Sequence, residues 1–145
     1  MIYTVTLNPA LDRTINIDRL LEDDTTRVLF EDHYAGGKGI DVSRVITELG
    51  GQGVALGLVG GYDGLHLEGL LVNAGVMTDF TKISGETRTN IIIKEEATGR
   101  QFVISAVGPE ITAAEIGQFY QHVLEMNAVD YLVLSGSLPR GLAHN

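Results

Sequence analysis

Apolar residues follow two spacings along this chain, one of two and one near 3.6, and the two alternate. IYTVTL at 2–7 is rich in β-branched and aromatic residues and is halted by Asn8-Pro9, which predicts a strand. TINID at 14–18 alternates and TRVLFEDHY at 26–34 is β-rich, so both predict strands with one polar face. Past a glycine cluster the period changes. Val42, Val45, Ile46 and Leu49 fall at i, i+3, i+4 and i+7, the stripe of an amphipathic helix that Gly50 is placed to end. GVALGLVG at 53–60 is short and apolar, as suits a strand covered on both faces, and Leu65 to Val72 predicts a second helix stopping near Gly75.

Residues 88–106 change character again. NIIIKEE and QFVISA flank Ala97-Thr98-Gly99-Arg100 and predict an antiparallel hairpin turned by the glycine. Thr112-Ala-Ala-Glu115 is a capping-box pattern, followed by Ile116, Phe119, Tyr120, Val123 and Leu124 on one helical stripe. YLVLSG at 131–136 predicts another buried strand. Strands alternating with helices predict a partial parallel α/β sheet of about four core strands flanked by helices. The segments 11–34 and 81–106 break that rhythm, being β-rich and without helices, and predict one small separate sheet built from two insertions. The last predicted strand is followed only by a loop, so the chain reads as part of a larger fold, since a parallel sheet binds ligands in a crevice built on both sides.

The 145 residues have the length of one domain, and an apolar share of 44% suffices for a core. Ten Lys+Arg against nineteen Asp+Glu leave a net charge of −9, which disfavours nucleic acid and anionic membrane as partners and makes any anion site local. With no cysteine there is neither a disulfide framework nor a thiolate metal site. MIYTVTLN lacks a signal peptide's basic flank and apolar stretch, and nothing approaches the roughly 18 apolar residues of a membrane span, so a cytoplasmic location is expected.

The chemistry centres on YAGGKGIDVS at 34–43. Unpaired N–H groups at a helix N-terminus carry partial positive charge, glycines allow a ligand close to the backbone, and Lys38 adds a full charge, a combination suited to phosphate or carboxylate. It is not a Walker A loop, whose spacer and following Ser/Thr are missing. The rival reading is a glycine-rich turn with a solvated lysine. Gly60-Gly61, before Asp63 and a helix, reads first as a strand-to-helix turn. Arg88 and Asn90 lie two apart, on one face of a strand, and suit a phosphorylated or hydroxylated ligand, or else solvent; Arg27 and Arg100 share that ambiguity. Asp12, after Asn-Pro-Ala-Leu, and Asp41, in the first helical turn, suit sugar hydroxyls or the local dipoles. His33, His66, His122 and His144 have no ligand-like spacing, and Ser135 and Ser137 lie outside a hydrolase elbow, so neither a metal site nor a serine triad is expected.

The order of these signals is more specific than any one of them: TLNPALD, GGKGIDVSR at 36–44, VGG before a helix, GETRTN at 85–90, and LSGSLPRG at 134–141. Over essentially all 145 residues the chain resembles the amino-terminal half of the ribokinase-like (PfkB) carbohydrate kinases, nearest the hexose-phosphate branch of 1-phosphofructokinases, tagatose-6-phosphate kinases and minor 6-phosphofructokinases. The resemblance implies an α/β domain whose small β-sheet is a lid and often a homodimer contact. It implies that Asp12 holds sugar hydroxyls, that Gly36, Gly37 and Lys38 line a sugar-phosphate pocket, and that Arg88 clamps the substrate's phosphate beside Asn90. Arg27 matches a lid position that contributes to phosphate binding, and Ser137 approaches the sugar. It also implies ATP and Mg2+ as co-substrate and cofactor of the intact enzyme, with the catalytic aspartate and most of the nucleotide site in a carboxyl-terminal half. No catalytic residue is therefore expected in these 145 residues, and the chain alone is expected to be inactive; a non-catalytic sugar-phosphate binding or dimerisation module is the alternative. One departure stands out: the family reads GGKGxN, and this chain has Asp41 in place of that asparagine. A carboxylate accepts hydrogen bonds but cannot donate them, which alters sugar preference.

Overall fold

A computed structural model describes residues 1–142; His144 lies outside them. Chain order is β1 (Ile2–Thr6), β2 (Ala10–Ile17), β3 (Phe30–Gly36), α1 (Lys38–Glu48), β4 (Gly53–Val59), α2 (Gly61–Asn73), β5 (Met77–Thr78), β6 (Thr81–Lys82), β7 (Arg88–Glu95), β8 (Arg100–Ile104), α3 (Ala113–Leu124) and β9 (Tyr131–Leu134).

The main sheet is parallel, ordered β5-β4-β1-β9, with β6 continuing beside β4 after β5. β4 is almost wholly buried because it is covered on both faces. On one side Ile40 of α1 and Leu67 and Leu71 of α2 pack with Ala55, Val59, Val76 and Phe80. On the other, Phe119 of α3 packs with Val5, Leu56, Leu58, Ile83 and Ile111. β9 differs from the expected buried strand. Among the described residues it pairs with β1 alone, and Tyr131 is 69% and Leu134 71% exposed.

The second sheet is ordered β3-β2-β7-β8, two antiparallel hairpins joined by a parallel seam between β2 and β7. This is the small sheet expected from two insertions. Its second insertion begins at Arg88 rather than near 81, because Thr81 and Lys82 pair with Leu58 and Val59 of the main sheet. β2 begins at Ala10 rather than 14, since Pro9 turns the chain directly into it, and β3 runs from 30 to 36 rather than from 26 to 34. Arg27 therefore sits in the loop before β3.

Helix positions follow from their ends. α3 starts where the Thr112 hydroxyl accepts the Glu115 N–H at 3.2 Å, as the capping pattern predicts. α2 starts at Gly61, four residues before the apolar stripe, because a distant side chain supports its first turn: the Glu86 carboxylate accepts the Asp63 N–H at 2.8 Å. No helix among the described residues is long and apolar enough to cross a membrane.

Candidate functional site

The two sheets meet at the carboxyl end of β1. From Thr6 the chain passes through Leu7-Asn8-Pro9 into β2, and β3 returns at Gly36 straight into α1. Gly37, with φ 134°, is the N-cap, in a backbone region that favours glycine. A Cβ there would lie 2.7 Å from the Thr6 methyl, and one on Gly36 would run into the Asp12 carboxylate. The glycines thus let the entrance of α1 rest on the end of β1 and against Asp12. The first intrahelical bond is Asp41 N–H to Gly37 O at 2.9 Å, so the N–H groups of Lys38, Gly39 and Ile40 have no partner within the helix. Lys38 opens the helix, exposed, and among the described residues its ammonium has neither hydrogen bond nor ion pair.

Asp12 lies within β2, not just past a strand end, and its register partners are Tyr34 and Asn90. Asn90 donates to the Asp12 carboxylate at 2.9 Å, while its own carbonyl oxygen accepts the Ala106 N–H at 3.0 Å. Burial raises the Asp12 pKa above its ordinary 3.8, opposed by the Asn90 hydrogen bond and the positive charge of Arg88. Arg88 shares this face but already makes contacts. Its guanidinium donates to the carbonyls of Ala106 at 2.9 Å and Asn8 at 3.0 Å, which ties the second sheet to the end of β1. Its Nε is buried without a partner.

Asp41 is exposed and ion-paired to Arg44 three residues on, and Arg44 also donates to Ala35 O at 3.0 Å. The Asp41 charge is thus balanced on its own helix. Ser137 joins the cluster through Asn8, whose side-chain amide donates to Val107 O at 3.2 Å and to the Ser137 hydroxyl at 3.4 Å. Around Ser137 a hollow of about 210 Å³ is lined by Val5, Leu7 and residues 134–138. The structure thus gathers Asp12, Gly36, Gly37, Arg88, Asn90 and Ser137 around the end of β1, with Lys38 beside them. Arg27 makes no hydrogen bond or ion pair there among the described residues.

Sequence reasoning missed Thr6 and Asn8. Thr6 Oγ1, Asn8 Oδ1 and Arg88 Nε are all buried and unpartnered, and all lie at this junction. In proteins such atoms are rarely left so without a ligand or water to meet them. The sequence does place Asn8 inside TLNPALD, but there it reads as a strand stop.

The sequence profile described as "pfkB family carbohydrate kinase" matches residues 5–145. The chain belongs to this family. A D-tagatose-1-phosphate kinase of Bacillus licheniformis is 37% identical over 142 residues, 98% of this chain and 46% of the relative. A 1-phosphofructokinase of Bacillus subtilis is 34% identical over 145 residues, 100% of this chain and 47% of the relative. The crystal structure of phosphofructokinase-2 from Escherichia coli in complex with fructose-6-phosphate superposes with a TM-score of 0.88 at 34% identity, covering 98% of this chain and 47% of that one. The fold is the ribokinase-like α/β fold, and the PfkB chain spans about half the length of the curated relatives it matches.

Proposed function

We propose that this PfkB chain supplies the sugar-phosphate pocket and lid of a cytoplasmic, ATP-dependent hexose-phosphate kinase of the 1-phosphofructokinase or 6-phosphofructokinase type. One observation carries the reading: the Lys38 ammonium, without a partner among the described residues, and the N–H groups of Lys38, Gly39 and Ile40, without one in the helix, adjoin a half-buried carboxylate, Asp12, held by Asn90. The first pair suits a phosphoester and the second a sugar hydroxyl, so together they suit a phosphorylated sugar and neither a bare anion nor a free sugar. Arg88, held by two carbonyls, reaches the phosphate with the N–H groups it has left. Ser137 meets the sugar from the loop after β9.

ATP and Mg2+ would serve the intact enzyme, where the magnesium–triphosphate supplies the phosphoryl group. The residues here do not fit it. Mg2+ bound with a nucleotide takes one or two carboxylates besides the phosphate oxygens, and the residues that line the hollow at 134–138 offer none. No transfer step is assigned to this chain, and by the family resemblance the base of the intact enzyme would belong to the carboxyl-terminal half.

The small sheet exposes Phe30, Tyr34 and Val103, at 54%, 49% and 63%. These exposed apolar side chains support a homodimer through the lid, in which Arg27 serves the neighbouring pocket. The reading is tested by calorimetry of the chain with fructose 1-phosphate, fructose 6-phosphate and tagatose 6-phosphate, together with an ATP-coupled assay. Saturable binding without turnover is expected. Binding of free fructose as tight as that of its phosphates would overturn the pocket assignment, and Mg-dependent turnover would overturn the placement of the base.

A further inference from the structure

β7 grows out of the first turn of α2. Thr87 is buried, donating its N–H to Gly60 O at 2.9 Å and accepting the Gly60 N–H on its hydroxyl at 3.0 Å. Two residues on, the Thr89 hydroxyl donates to the carboxylate of Asp63, whose own N–H is taken by Glu86 at 2.8 Å. Side chains alternate along a strand. Thr87 and Thr89 therefore face α2, while Arg88 and Asn90 face Asp12 and Asn8. Every residue of Glu86–Asn90 is fastened, Glu86, Thr87 and Thr89 to the start of α2 and Arg88 and Asn90 to the site.

We propose that Asp63 is a positioning residue for phosphate recognition: by holding Thr89 it fixes how far β7 stands from α2, and so where Arg88 presents its guanidinium. The inference rests on the sugar-phosphate reading for its consequence but not for its geometry. Asp63 touches no part of the ligand site and acts only through Thr89 and the strand. A hydrogen bond to a carboxylate is among the stronger ones, and supporting bonds of this kind hold a recognition side chain to the tolerance that two-pronged oxyanion contacts demand.

The test compares Asp63→Ala, Asp63→Asn, Thr89→Val and the double variant Asp63→Ala/Thr89→Val by two readouts. One is the side-chain Nε–H resonance of Arg88 in nitrogen-15 spectra, which needs no ligand; the other is affinity for fructose 6-phosphate and for unphosphorylated fructose. Thr89→Val, close to isosteric, is expected to shift the Arg88 resonance and to weaken the phosphorylated sugar about tenfold with little change for fructose. The double variant should be no worse than either single one, and Asp63→Asn, which keeps an acceptor, should return both readouts towards wild type. A Thr89→Val protein that melts lower but keeps the wild-type Arg88 resonance and affinity would make the pair a structural tie only and overturn the proposal. If wild type itself binds no hexose phosphate, the functional reading fails, and the Arg88 resonance alone decides the positioning role.

Discussion

Asn90 and Asp12 meet side chain to side chain at 2.9 Å, directly opposite one another across the parallel seam between β2 and β7. The bond holds a carboxyl where burial opposes its charge. A carboxyl whose folded pKa lies above its unfolded value contributes stability below the unfolded value, here 3.8, and loses it as pH rises through the folded one. Asp12→Asn cannot ionise and keeps the acceptor that Asn90 needs. Its melting temperature should exceed wild type at neutral pH and the gap should close below 3.8. Its affinity for the sugar phosphate should fall about tenfold with the loss of a charged acceptor, by calorimetry.

Among the described residues nothing holds the charge of Lys38. Lys38→Ala is therefore expected to change stability by less than about 0.5 kcal/mol. The same change should weaken hexose-phosphate binding by about 10- to 100-fold and flatten its dependence on salt, with little effect on free fructose. Equal losses for both sugars would remove Lys38 from the phosphate.

Gly37 combines a φ of 134° with a Thr6 methyl 2.7 Å from where a Cβ would be. Gly37→Ala should cost about 1–3 kcal/mol in chemical denaturation and abolish binding, because the entrance of α1 must lift from β1. Gly50 has positive φ but open space around it, so Gly50→Ala should cost less.

Asp41 pairs with Arg44 on the surface, and such pairs contribute about 0–1 kcal/mol. Asp41→Asn should leave the melting temperature nearly unchanged. The expected effect is on preference: a restored amide donor should shift relative affinities among fructose 1-phosphate, fructose 6-phosphate and tagatose 6-phosphate. Unchanged affinity for all three would take Asp41 out of the site.

Glu95 ends β7 and is held by the Thr98 hydroxyl, the Leu20 N–H at 2.8 Å and Arg100 at 2.9 Å. These hydrogen bonds lower its pKa from 4.5 to about 2. A depressed carboxyl contributes stability that is present above its unfolded pKa and is lost as pH falls through the folded one. Wild type should therefore lose stability between pH 4.5 and about 2. Glu95→Gln should be less stable at neutral pH and show a shallower acid dependence in that window, by circular dichroism.

Legibility in the sequence followed the range of the interactions. Thr112 and Glu115 are three apart, so α3 could be read to within a residue. The hairpin around Gly99 and the glycine-to-helix turn at 36–38 are equally local. The start of α2 depends on Glu86, 23 residues on, and no period in the chain reports it. The same limit applies to the site. Gly36–Lys38 and the Arg88, Asn90 pair carry recognisable spacing, whereas the place of Asp12 inside a strand, and the parts played by Thr6 and Asn8, arise from β1, β2 and β7 coming together.

That meeting also orders assembly. Asp12 and Asn90 stand 78 positions apart, and a parallel seam cannot close through a short turn. The β2–β3 and β7–β8 hairpins can each zip from their own loops, but they can join only once α1, β4 and α2 have brought Arg88 back beside Ala10. The pocket thus rests on a non-local closure, the slow kind of contact to form, rather than on either hairpin alone.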